Sequence, residues 1–406
     1  MKRSLIRLIF SITTIIILSL TSFLPLVSLQ GSLYLEVTEG ESIQQAINNA
    51  PEGAAIYIRK GTYTEYPIYI NKSIILLGES RDETIITGNG EATCIITIRA
   101  DNVAIKNLTI RDTQQDPQGV STAINLYNIK NATIEDCNII KAGCGIRICN
   151  TVNSTVINNL LIENIYGIYI YQNSQSNLII QNQIANNTHG IHIDINSKNN
   201  QIYNNNFINA TREGFGVNFN QWNSTYILGG NYYWDYLGQD NYSGSNQNQL
   251  GSDGIIDKPY EGLDNYPYKN KIQSFKMKID QLETYILIST NSTEVSPPKL
   301  NITSKTLTFK VNQTTAGYCR IIIPKKLLSA ENQEWKILAD EQQLSYLLFE
   351  DQKHSCLYFE YPRETSQITI IGTKVVPEYT TIFISIMLPI LALLFIWLNR
   401  TRFHKV

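Results

Sequence analysis

The sequence predicts an all-β chain: a parallel β-helix over residues 31–270, a small β-sandwich over 275–374, and one membrane helix near the end, at 381–398. Three observations carry that expectation. Four consecutive segments repeat at a spacing of 22–23 residues, each built from short runs in which apolar and polar residues alternate. Asparagine and glycine punctuate those runs. A separate apolar block followed by a basic tail stands at 381–406.

The repeat emerges when 131–150, 153–173, 176–196 and 199–220 are stacked. Ile139, Leu161, Ile184 and Phe207 become equivalent, at spacings of 22, 23 and 23, and Gly145, Gly167 and Gly190 follow at 22 and 23. An earlier copy, 102–110 with 122–128, fits with a longer internal loop. Such a period marks a stacked array of supersecondary units. Alternation as in Ile191-His192-Ile193-Asp194-Ile195 turns one face of a strand inward. No stretch has a helical period long enough for a crossover helix, and the Leu-x-x-Leu-x-Leu frame of leucine-rich repeats is absent. One coil per repeat, stacked at about 4.8 Å, is the solution that remains. Asparagine suits the corners because it tolerates left-handed backbone and bonds locally. Asn159, Asn182 and Asn205 align at one corner, with Cys137 before them. They are expected to form an amide ladder along the axis, since buried amides need partners.

An open coil exposes core and strand edges, so the N-terminal end needs a cap. Ser42-Ile43-Gln44-Gln45 reads as a capping box that opens a short helix to Ala50. With ESIQQAINNAPEGAAIYIRKGTYTE and then INKSIILLG, the chain resembles the opening of pectin-lyase-like right-handed β-helix proteins. Its G-I-x-I coils resemble the NosD-type periplasmic β-helix group. Residues 229–268 are similar to the acidic tail that closes such helices in archaeal surface proteins. The matching positions are Asn231, Trp234, Asp235, Tyr236, Asp253, Gly254, Ile255, Asp257, Pro259, Tyr260, Asp264, Tyr266 and Pro267, while Ile256 replaces the second glycine of that tail's acidic loop. The resemblance covers about 40–270. It implies a right-handed coil and a surface location, and no single activity, because the fold hosts lyases, hydrolases, epimerases and binding proteins. The NosD likeness adds a copper-enzyme maturation accessory factor as an expectation. That role needs outward Met, His or Cys, and three Met and four His are thin material for it.

The ends bear on location. Met1-Lys2-Arg3-Ser4 and Arg7 precede an apolar run at 8–20, the layout of a secretory signal over 1–30; a retained membrane helix is the alternative, because the apolar character continues to Leu29. The block at 381–398 is near the minimum for spanning a bilayer. Arg400, Arg402 and Lys405 then place the 399–406 tail in the cytoplasm and the bulk of the chain outside. Sequons from Asn71 through Asn312 fit an outside location, while Asn399 would face the wrong side. Val376-Pro377-Glu378-Tyr379 resembles an archaeal Pro-Glu-Phe sorting signal, with Tyr379 in place of the phenylalanine.

Alternating runs at 307–311, 319–323, 357–361 and 367–371, with a turn at Ser296-Pro297-Pro298, indicate a small antiparallel β-sandwich. Cys319 and Cys356 are the two cysteines there, and outside the cell a bridge between them is expected.

Composition narrows the chemistry. Charged residues are 17% and the net charge is −2, which argues against nucleic acid as a partner. One outward column should read Asn125, Arg147, Tyr169, His192 and Asn218, and its neighbour Tyr127, Cys149, Tyr171, Asp194 and Asn220. Of these, Arg147, Tyr169, Tyr171, His192, Asp194, Asn218 and Asn220 are the candidates for contact with carbohydrate, through hydrogen bonds and ring stacking. An ordinary wet sheet surface is the plainer alternative. A lyase or hydrolase has less support: a glycosidase needs two carboxylates, and the columns offer Asp194, with Glu213 on the adjacent loop. The resemblance brings a Gly-His-Gly hydrolase signature, against which this chain has Thr188-His189-Gly190. His192 beside Asp194 is the candidate acid–base pair. Asp235, Asp253, Asp257 and Asp264, with Asp240, form the dense acidic cluster: a calcium clasp on one reading, turn-forming side chains on the other. The partners expected are glycans or neighbouring surface proteins, and the membrane through one helix.

Overall fold

The computed structural model describes residues 34–114, 120–213, 217–280, 282–312 and 314–375. The expected signal, membrane helix, basic tail and Asn399 lie outside the described residues. Among those described, no helix is long and apolar enough to cross a membrane.

The repeats coil into three parallel sheets. Sheet A has 8 strands, from Tyr34–Val37 to Gln201–Tyr203; sheet B has 8, from Gly61–Tyr63 to Tyr232–Tyr233; sheet C has 7, from Ile68–Ile70 to Arg212–Glu213. Ile139, Leu161, Ile184 and Phe207 pair in one inward column of sheet B. With the isoleucines of the other sheets they form a continuous buried core. The glycine period has a steric cause. A Cβ on Gly145 would lie 2.7 Å from the Gly167 carbonyl oxygen, and one on Gly167 would lie 2.6 Å from that of Gly190. Neighbouring coils approach too closely there for any side chain.

The corners follow one rule: a residue in left-handed backbone, then a small polar residue whose side chain bonds the coil before it. Between sheets A and B, Asn158 (φ 54°) precedes Asn159, and Gln181 (φ 59°) precedes Asn182. Asn159 Oδ1 accepts from the Cys137 N–H at 2.9 Å, Asn182 Oδ1 from Asn159 N–H, and Asn205 Oδ1 from Asn182 N–H; Asn231 closes the column. The expected ladder is present, and the same chemistry recurs where the sequence reading did not place it. Asn164 and Asn187 stack between sheets B and C, and Asn177, Asn200 and Asn220 between sheets C and A. Each bond satisfies a buried backbone donor that a sharp corner would otherwise leave unpaired.

The N-terminal cap is a helix at Ile43–Asn49, with Ser42 Oγ accepting from Gln45 N–H at 3.1 Å. A distant carboxylate shares the capping: Glu65 accepts from the N–H groups of Ile43 and Gln44. The far end is closed by the segment after Asn220, which buries Trp222 and Tyr233 against Phe207.

After Asn270 come antiparallel sheets of 5 and 6 strands around a core that includes Ile286, Phe309, Ile321, Ile337, Phe359 and Ile370. Cys319 belongs to this core. Cys356 instead packs with Tyr226, Ile255 and Tyr268 on the other side of the same sheet. On the paired strands Cys319 lies opposite Phe359 and Ile322 opposite Cys356, so the two cysteines sit three positions apart and project from opposite faces. Both thiols are free, and the expected bridge is not made.

The hairpin Ile272–Ile279 and Leu282–Thr290 lies along the coil. Lys276 pairs with Glu135 at 2.7 Å and Asp136 at 3.0 Å, and Tyr285 OH donates to Glu135 at 2.7 Å. Asn206 bonds both N–H and C=O of Ile272. The fully buried Arg320 donates to the carbonyls of Tyr226 and Asp253, tying the closing segment to the second unit.

Candidate functional site

The outward face of sheet C brings together part of the expected set. Asn125, Arg147, Tyr169 and His192 share one column, and Tyr127, Cys149 and Tyr171 the next. The position beside His192 is held by Glu213, not Asn218. Asn218 lies in the short helical turn Val217–Phe219 and is exposed. The next described residues, from Val217, form a short helical turn outside the sheet. Asn220 is likewise removed from this face: its Oδ1 accepts from Asn200 as the last rung of a corner ladder. Asp194 sits just past its strand, and its carboxylate serves the turn, accepting from the N–H groups of Gln172 and Ser197 at 2.8 Å each. Those bonds tie the carboxylate to the corner backbone and weaken the case for an acid–base pair with His192.

What the face does carry is a cluster of five rings. Tyr166 stacks on His189 at 4.5 Å and on Tyr169 at 5.5 Å; Tyr169 stacks on Tyr171 at 5.1 Å; His192 meets Tyr169 edge-on at 4.8 Å. Tyr166 escaped the sequence reading, and His189 entered it only within Thr188-His189-Gly190, although a signal was present: Cys144, Tyr166 and His189 each precede a repeating glycine at the same spacing. All five rings are half-buried. Burial holds both imidazoles below their ordinary range, with the neighbouring His189 adding to the effect on His192, so they are neutral at pH 7. Burial raises the Tyr169 and Tyr171 hydroxyls, which remain protonated donors. Arg147 reaches along the face to the Val120 carbonyl at 2.6 Å. Two polar atoms in the column, His192 Nδ1 and Asn125 Oδ1, are buried with no hydrogen-bond partner among the described residues.

The cysteines are not reactive features of this face. Burial pushes the Cys144 thiol up to about 12, and Cys149 Sγ contacts Gln172 Oε1. The carboxylates of the closing segment do not converge either. Asp253 accepts from Gly244 and Ile255 N–H, Asp257 from Asn241 and Tyr242 N–H, Asp264 from Asn231 and Tyr266 N–H, and Asp235 from Tyr260 OH. Asp240 caps Asp253 and Gly254 N–H, and burial nevertheless raises it to about 6. Among the described residues no three His, Cys, Asp or Glu side chains are grouped to hold a metal ion. The hydrogen bonds that these carboxylates make are those of turn-forming side chains, one of the two readings the sequence offered.

Residues 49–207 and 93–250 match the family model for a right-handed β-helix region. This part of the chain is a right-handed β-helix. Solved structures to which the chain is similar include the catalytic domain of a GH87 alpha-1,3-glucanase in complex with nigerose (19% identity over 55% of this chain and 44% of that chain, TM-score 0.44). Others are an alginate lyase from Paenibacillus sp. str. FPU-7 (14%, 49% and 74%, TM-score 0.38) and pectin methylesterase PemA from Erwinia chrysanthemi (17%, 50% and 72%, TM-score 0.31). At these identities the likeness is one of fold alone. No curated protein matches the chain in sequence.

Proposed function

We propose that this chain is a membrane-held, outward-facing β-helix module that binds carbohydrate along the exposed face of sheet C. The five-ring cluster carries the reading: Tyr166, Tyr169, Tyr171, His189 and His192 form one half-buried aromatic surface. Rings give the apolar faces of sugar units a platform, and neutral imidazole, amide and phenol groups exchange hydrogen bonds with hydroxyls. The apolar block at 381–398 with its basic tail supports attachment to a membrane with the β-helix outside. Neighbouring surface proteins are a second class of partner for the same face.

A lyase or hydrolase is the second reading. One observation favours it, the register that sets Glu213 beside His192. For a copper-maturation role the same sheet offers Cys94, half-buried, and Cys144 and Cys149, both buried.

The experiment is a titration of oligosaccharides into the full chain and its Tyr169→Ala, Tyr171→Ala double variant. Each stack is worth about 0.5–1.5 kcal/mol, so binding should weaken roughly tenfold or more with the fold intact. Equal affinity in the two proteins would reject the reading. Product release that disappears in Glu213→Gln would move the assignment to an enzyme.

A further inference from the structure

A cavity of about 490 Å³ opens at the corner between sheets B and C, at the closed end of the coil. Its floor is aromatic. Phe207, Tyr233 and Tyr260 stack in sequence, with centroids 5.3 and 3.9 Å apart. Its lip is Trp234 and Asp235, at a turn pinned by Trp234 N–H to Phe207 C=O and Tyr236 N–H to Tyr233 C=O. Trp234 is 49% exposed, whereas Trp222 and Trp335 are buried. Trp234 thus stands at the mouth of the cavity with half of its surface open beside the stacked rings of the floor. The opposite wall is polar: Asn186 and Asn209 face each other, with Asn209 Nδ2 donating to Asn186 Oδ1 at 3.3 Å, and Thr188 and Thr211 lie alongside.

We infer that this cavity is a second saccharide site, separate from the ring row, for a neutral pyranose that stacks on Trp234. The division of labour follows from the lining. An indole face complements the C–H face of a sugar ring. Among the described residues the Asp235 carboxylate accepts from Tyr260 OH, which lies 3.2 Å from both of its oxygens, and their further lone pairs can take vicinal hydroxyls. The amides and hydroxyls of the far wall supply further donors and acceptors. The volume falls in the range of small-ligand sites, and backbone bonds between coils, Asn186 N–H to Ile208 C=O and Thr188 N–H to Asn164 C=O, hold the corner that shapes the cavity. Thr188 lines the cavity and the next residue, His189, belongs to the ring row, so the two sites flank one corner of one coil. The proposal does not depend on the row: it stands on different side chains and is tested by different variants.

Tryptophan emission of the full chain reports on it directly, because Trp234 is the exposed indole among the described residues. The probes are the methyl glycosides of glucose, galactose, mannose and N-acetylglucosamine. At least one should shift the emission saturably. Trp234→Ala should abolish the response, and Asp235→Asn should weaken the affinity roughly tenfold. The Tyr169→Ala, Tyr171→Ala variant should leave the response unchanged, which separates this site from the row. Both lip residues are exposed, so the variants should retain the β-sheet circular dichroism of the parent. The inference is overturned if no glycoside gives a saturable shift, if Trp234→Ala binds as tightly as wild type by saturation-transfer NMR, or if the response follows the tyrosines.

Discussion

Asn182→Ala isolates the chemistry that turns the repeat into a coil. Asn182 is fully buried. Its Oδ1 accepts from the backbone N–H and from Nδ2 of Asn159, each at 3.0 Å, and its Nδ2 donates to Val156 C=O at 2.9 Å and to Asn205 Oδ1 at 3.0 Å. Alanine removes all four bonds. Asn159 Nδ2 keeps Ile134 C=O, and Asn205 Oδ1 keeps the residue-182 N–H. The Asn159 N–H is left buried with no partner, and Val156 C=O loses a donor. Stranding a buried backbone group costs about 1–3 kcal/mol, and the vacated amide adds a small void. The expected loss is about 2–4 kcal/mol. Urea unfolding followed by far-UV circular dichroism gives the midpoint and slope that measure it. Gln183→Ala, at the exposed next position, is the control and should stay within about 0.5 kcal/mol. If the two variants unfold alike, the ladders are not what holds the corners.

Three further outcomes are expected. Burial alone would raise the Glu135 carboxyl, but hydrogen bonds from Lys106, Lys276 and Tyr285 outweigh it and bring it down to about 2. A depressed folded-state pKa gives stability that is present above the unfolded value near 4.5 and lost as pH falls from there toward 2; Glu135→Gln should therefore cost stability at pH 7 and progressively less below pH 4, and a constant difference across that range would contradict the network. Thiol titration of the non-reduced protein in denaturant should return all six cysteines, and a count of four would restore the Cys319–Cys356 bridge. Because burial holds His189 and His192 below the ordinary imidazole value of 6.5, any change of glycan affinity with imidazole protonation should be centred below that pH; a transition centred near 7 would show that the imidazoles are not buried as described.

The coil was legible because its causes are local. Ile139, Leu161, Ile184 and Phe207 sit in the register their spacing predicts, and the glycine period reflects a carbonyl that leaves no room for Cβ. One asparagine ladder was legible for the same reason. The others were missed because Asn164 and Asn177 follow left-handed residues of mixed type, Glu163 and Ser176, which disguise the corner. The site was half legible. Arg147, Tyr169, Tyr171 and His192 came from alternation alone, whereas Glu213 holds the position expected of Asn218, which lies in a short helical turn outside the sheet. Contacts such as Lys276 to Glu135 and Arg320 to Tyr226 join segments about 90 to 140 positions apart. No periodicity reports them. The same holds for the Cys319–Cys356 pairing, where strand register, invisible in the spacing, set the thiols on opposite faces.

The most direct test of the carbohydrate reading is a crystal structure of the chain soaked with the tightest-binding oligosaccharide. The account predicts sugar rings lying over Tyr166, Tyr169 and Tyr171. An oligosaccharide seated elsewhere on the chain, with this face bare, would contradict it.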